Sequence, residues 1–202
     1  MRSLSRNISG EAKVTTILND LTANDEALSQ ATVHQYINAL KKIFVIEDLP
    51  AWSAKLRSKT AIRTTAKRHF TDPSIATASL RATPKRLLSD FNTFGLLFES
   101  LCIRDLRIYA ESIDGSVFHY RDKSGFEIDA IIQLADGRWG AAEIKMGAAE
   151  VEAAAENLLK LCKIIDTEKM NEPSFLMVLT CTEYALQMKN GVWVIPLGCL
   201  KN

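Results

Sequence analysis

Long apolar runs are missing from this chain of 202 residues. No stretch reaches the roughly 18 apolar residues that a membrane-spanning helix needs, and no secretory leader precedes the first polar segment, so a soluble, cytoplasmic protein is expected. A Gly-x-x-x-x-Gly-Lys-Ser/Thr segment is also lacking, which excludes a P-loop and any ATP site of that kind. Cysteine is scarce. Cys102, Cys162, Cys181 and Cys199 are far apart and lie within apolar patterns, as core thiols do, not as a zinc cluster or a disulfide framework. The three histidines, His34, His69 and His119, are equally scattered and read as surface or helix residues, not ligands. Charge of one dominant sign is absent as well, the formal net charge being +1.

That near-neutral sum hides an asymmetry. Residues 1–86 carry 14 Lys/Arg against 7 Asp/Glu, whereas residues 87–202 carry 11 against 17. With 47% apolar composition, the length suits one domain of ordinary size plus a small appendage. The division is placed at residues 1–80 and 81–202. In the first part Val14, Ile17, Leu18 and Leu21 form one helical stripe. Val33, Tyr36, Ile37, Leu40 and Ile43-Phe44 form a second, with Ser29 as its N-cap and Thr32 three positions on. Phe44 to Leu49 reads as a strand ended by Pro50. Helix, turn, helix and extended segment is the winged-helix order, in which the second helix enters the major groove. Between Asp48 and Asp72 there is no acid but six bases: Lys55, Arg57, Lys59, Arg63, Lys67 and Arg68. They are expected to contact nucleic-acid phosphates as a wing; a solvated loop, or a face toward an acidic partner domain, explains the same composition.

The second part opens with a helix whose stripe is Leu87, Phe91, Phe94, Phe98, Leu101, Asp105 and Tyr109, and Glu99 is set within it. Ser116 to Arg121 reads as a strand and Asp122-Lys123-Ser124-Gly125 as a turn. Two further strands follow, Phe126 to Ile132 and Trp139 to Lys145, joined across Asp136-Gly137, a strong hairpin signal that suits a type I′ turn. Alternation puts Phe126, Ile128, Ala130 and Ile132 on one face and Glu127 and Asp129 on the other; Glu143 and Lys145 project together. Whether Asp129 joins them depends on the register. Two carboxylates with water make an oxygen-rich site suited to Mg²⁺ or Mn²⁺, and a lysine beside them stabilises charge on a phosphate. A solvated hairpin edge carrying a Glu/Lys pair is the plainer reading. Ala148 to Ile165 then reads as a helix, Ser174 to Thr180 as a buried strand and Val192 to Ile195 as an edge strand.

The order α-β-β-β-α-β, with Glu99 on the helix, Asp129 on the second strand and Glu143-Ile144-Lys145 on the third, resembles the PD-(D/E)xK nuclease superfamily. More closely, Phe94-Gly95-Leu96-Leu97-Phe98-Glu99, the block from Tyr120 to Asp129 and Ala142-Glu143-Ile144-Lys145 resemble the domain of unknown function 4143. That domain forms the C-terminal part of a prokaryotic AAA+-type ATPase family, which also has a segment similar to Thr32–Leu40. The resemblance implies an α/β fold, a restriction-endonuclease-like mixed sheet with flanking helices, preceded by the winged-helix-like module. It assigns Glu99, Asp129, Glu143 and Lys145 to metal and catalytic positions, with Mg²⁺ or Mn²⁺ as the ion and DNA as the substrate. Met146-Gly147 stands where a small polar residue often follows the lysine. An ATPase module, in trans or on a longer chain, is the implied partner. The opposing expectation is a catalytically inactive module that binds nucleic acid or docks a protein.

Overall fold

A computed structural model describes residues 1–11, 13–22, 28–53, 65–165 and 170–200. Contacts divide the chain into two compact units, Met1–Leu49 with Ala66–Leu101, and Pro50–Thr65 with Cys102–Asn202. The first contains α1 (Arg2–Arg6), α2 (Val14–Thr22), α3 (Gln30–Lys42), β1 (Ile46–Leu49), β2 (Lys67–Phe70), α4 (Pro73–Leu80), α5 (Pro84–Leu88) and the start of α6 (Phe91–Glu111). Ser29 caps α3 as its position suggests, its Oγ accepting from the Thr32 N–H at 3.1 Å. The buried stripe of α3 is narrower than the spacing implies: Val33 and Ile37 are buried, while Tyr36, Ile43 and Phe44 are exposed. Strands β1 and β2 pair antiparallel from Ile46↔Phe70 to Leu49↔Lys67. Leu4, Ile8, Ile17, Val33, Ile37, Ile46, Phe70 and Leu97 belong to one apolar cluster.

The long helical pattern from Leu87 is interrupted. Helix α5 ends at Leu88, and Asp90 starts a new helix by accepting from the Thr93 N–H at 3.1 Å and the Thr93 hydroxyl at 2.7 Å. Phe91, the first residue of α6, is 64% exposed, and the buried residues of α6 include Leu97, Phe98, Cys102, Ile103, Leu106 and Ala110.

The second unit is built on a six-stranded mixed sheet. Its strands are β3 (Gly115–Arg121), β4 (Glu127–Leu134), β5 (Trp139–Ile144), β6 (Leu176–Thr180), β7 (Leu186–Gln187) and β8 (Trp193–Pro196), in the order β3-β4-β5-β6-β8-β7. β3, β4 and β5 form an antiparallel meander; β6 is parallel to β5 and to β8. The last apolar strand is therefore not the edge. The two-residue β7 pairs with β8 and takes that place. Helix α7 (Val151–Ile164) covers one face, its Val151, Ala154, Ala155, Leu158 and Leu161 clustering with Ile131, Ala141, Val178 and Val194. On the other face Leu106, Tyr109 and Ala110 from the end of α6 line a groove with Ile132, Met177 and Ile195.

Two local features depart from simple alternation. The β4–β5 turn places only Gly137 at positive φ (88°), with the Gly137 N–H donating to Leu134 O at 3.0 Å and the Leu134 N–H to Arg138 O at 2.8 Å. This is a type I turn closed by a left-handed glycine, not the type I′ turn that Asp-Gly suggests. Along β3 and β4 the register passes from Phe118↔Ile131 to Tyr120↔Ile128, so Asp129 and Ala130 together oppose the single His119. This bulge puts Ile128 in the same cluster as Ile131, Trp139 and Ala141, although alternation assigns it to the opposite face.

The segment Pro50–Trp52 belongs to this unit. The His119 N–H donates to Pro50 O at 3.0 Å and the Trp52 N–H to His119 O at 2.6 Å. Trp52 is 4% exposed, its ring centroid 5.1 Å from that of Trp139 and its Nε1 donating to Gln133 Oε1 at 3.0 Å. His69 and His119, expected at the surface or on helices, are buried in strands β2 and β3. Of the four cysteines only Cys102 is a core thiol; Cys162 is half-buried, and Cys181 and Cys199, which come after strands β6 and β8, are exposed. Among the described residues, no helix is long and apolar enough to cross a membrane.

Candidate functional site

Strand β5 is buried along its whole length, which rules out the solvated hairpin edge. It is flanked by β4 and β6, so the carboxylate of Glu143 emerges in the middle of the sheet beneath α7 and is 3% exposed. One step beyond the ladder pair Ala130↔Ala142, Asp129 stands beside Glu143. Its Oδ2 accepts from the Ile144 N–H at 2.9 Å and lies 3.3 Å from Lys145 Nζ. Lys145 Nζ is also 2.8 Å from Glu143 Oε2. The register thus brings Asp129, Glu143 and Lys145 together, with one ammonium shared between two carboxylates.

Burial and charge act strongly here. Burial pushes the Glu143 carboxyl up to about 8, assisted by the neighbouring Asp129 charge and a hydrogen bond with that carboxylate; Lys145 opposes the shift and does not cancel it. For Lys145, burial favours the neutral amine, but Asp129 and Glu143 together outweigh it and raise its pKa above the ordinary lysine value.

The other expected site residues have partners of their own. Glu99 sits on α6 in the first unit, where its Oε1 is 3.2 Å from Lys67 Nζ. Lys67, expected to touch phosphate, is 5% exposed on β2, and Arg68 Nε is 3.4 Å from Asp48 Oδ1. Both cations are thus engaged with acids of their own unit. Lys55, Arg57, Lys59 and Arg63 lie outside the described residues. Glu127 pairs with Arg121. Among the described residues no group of three or more His, Cys, Asp or Glu side chains is gathered for a metal. The donor set on β4 and β5 is therefore two carboxylates. That fits Mg²⁺ or Mn²⁺, hard ions commonly held by one or two carboxylates with water and substrate oxygens completing the shell.

One further contact has no counterpart in the sequence pattern: Asn157, whose Nδ2 donates to Glu143 Oε1 at 3.4 Å. Its only sequence trace is an amide set among Ala, Leu and charged residues. The Ile144 N–H, a backbone donor, leaves no trace at all.

No curated protein and no solved structure matches the chain. A profile for a domain of unknown function, DUF8612, matches residues 1–86. A profile for another, DUF4143, matches residues 94–200, more than half of the 202 residues and the whole of the Asp129–Glu143–Lys145 cluster. The chain belongs to the DUF4143 family.

Proposed function

We propose that the second unit is a metal-dependent phosphodiesterase of the PD-(D/E)xK kind acting on DNA. The observation that carries this reading is the shared ammonium: Lys145, the residue after β5, lies 3.3 Å from Asp129 on β4 and 2.8 Å from Glu143 on β5. Asp129 and Glu143 would hold Mg²⁺ or Mn²⁺, which when bound orients and polarises the phosphate and lowers the pKa of an attacking water. Asp129 is aimed by the Ile144 N–H, so its second oxygen is positioned by backbone. Lys145 stays protonated and supplies a positive charge for the phosphate oxygens as negative charge builds on them. Glu99 is kept as an assisting carboxylate only by the family resemblance. The winged-helix-like first unit would bind DNA through the exposed residues of α3, and an AAA+-type ATPase module is the partner that the resemblance suggests.

A second reading has its own support. A lysine bonded to both carboxylates also makes a self-sufficient ion triad, as in a module that keeps the fold and binds nucleic acid or protein without cutting. Supercoiled-plasmid nicking with Mg²⁺ or Mn²⁺ separates the two. The nuclease reading expects metal-dependent nicking that falls about 100-fold or more in Lys145→Ala, at the upper part of the range for loss of one preorganised charge. Absence of nicking, or nicking unchanged in that variant, overturns it.

A further inference from the structure

Glu143 is gripped at both oxygens. Its Oε2 meets Lys145 at 2.8 Å and its Oε1 meets the Asn157 amide of α7 at 3.4 Å. The torsion that turns a carboxylate about its last bond is broad and two-fold, so one contact leaves the plane of the group free to swing. A second donor from a different element fixes it. Helix α7 suits this purpose, because its Val151, Ala154, Ala155, Leu158 and Leu161 are buried against the sheet and hold its backbone in place. Asn157 lies beside that stripe, three residues after Ala154 and one before Leu158, half-buried and turned toward β5. In a helix interior Asn is a poorer helix former than Ala or Leu, so helix formation alone does not favour it at this point. A neutral amide also suits the task. It orients the carboxylate without adding a cation that would compete with a metal, as lysine or arginine there would.

We infer that Asn157 is a positioning residue for the divalent-cation site, acting through Glu143 Oε1 to set the carboxylate plane that Asp129 and Lys145 complete. This rests on the metal-centre reading above. Outer partners of metal ligands typically contribute about 10–100-fold to metal affinity.

The test is Mn²⁺ binding to the full chain, followed by the electron paramagnetic resonance signal of free Mn²⁺, with no substrate present. Asn157→Leu keeps the shape and removes the donor; Asn157→Gln keeps an amide on a longer arm. The expected result is a loss of about 10-fold or more in Mn²⁺ affinity for Asn157→Leu, recovery of most of it in Asn157→Gln, and no effect of Asn157→Leu when Glu143 is already Gln. Equal loss in Asn157→Leu and Asn157→Gln, or the same loss in the Glu143→Gln background, assigns Asn157 to packing and overturns the inference. Asp129→Asn serves as the control. If it abolishes binding while Asn157→Leu binds like the wild type, only the positioning role falls; if Mn²⁺ binding ignores Asp129→Asn, the metal centre and the inference fall together.

Discussion

A carboxyl group that keeps its proton to about pH 8 makes folding stability depend on pH in an unusual direction. Glu143 binds a proton in the folded chain that the unfolded chain releases near 4.5. The stability linked to that proton is complete below pH 4.5, and is lost as pH rises through about 8. Lys145 adds no slope in this window, since its raised pKa contributes stability that persists until well above 10.5. Chemical denaturation of the wild type should therefore weaken by a few kcal/mol between pH 5 and 8, on the scale of about 1.4 kcal/mol for each tenfold difference in proton affinity between the folded and unfolded chains. Glu143→Gln, which resembles the protonated form, should lose that part of the slope over the same range; parallel curves for the two proteins would contradict the assignment. The residues of this cluster were legible in the sequence because charged side chains on alternating strands stand out. What Glu99 and Lys67 do was not, since their contact joins strand β2 to a helix far along the chain, and no local pattern reports such a pairing.

At the level of elements, the hairpin that carries the site depends on a position with no side chain. A Cβ built on Gly140 would come within 2.4 Å of the Phe175 ring. Gly140→Ala should therefore displace that ring and destabilise the second unit by about 1–3 kcal/mol, the usual cost of overpacking. A thermal midpoint equal to the wild type would show that the ring moves aside freely. Periodicity revealed most of the elements here, and Ser29 announced its helix because capping is local chemistry. It failed where a short-range contact overrode the apolar stripe. Asp90 breaks the pattern that starts at Leu87, and the bulge at Asp129–Ala130 reverses the facing of Ile128. Asp136-Gly137 marks the position of the turn but not its type, because one left-handed glycine serves a type I turn as well as a type I′ turn.

On the scale of the whole molecule, the two compact units interleave along the chain, with Pro50–Trp52 contributing to the second unit from well before its strands. A fragment comprising residues 81–202 lacks Trp52. It should lose about 3–5 kcal/mol through the vacated space beside Trp139, as large-to-small changes at buried aromatics do. Urea unfolding of the fragment and of full-length Trp52→Ala, each against the wild-type chain, measures this, and a fragment as stable as the intact protein would show that the segment is dispensable. Composition and charge hinted at two parts, but an isolated tryptophan before a basic stretch carries no mark of which part it joins. The interleaving also sets an order of events during synthesis. The first unit has all its residues once Leu101 has left the ribosome, whereas Trp52 must wait, with its apolar ring uncovered, until Tyr120, Gln133 and Trp139 have been made.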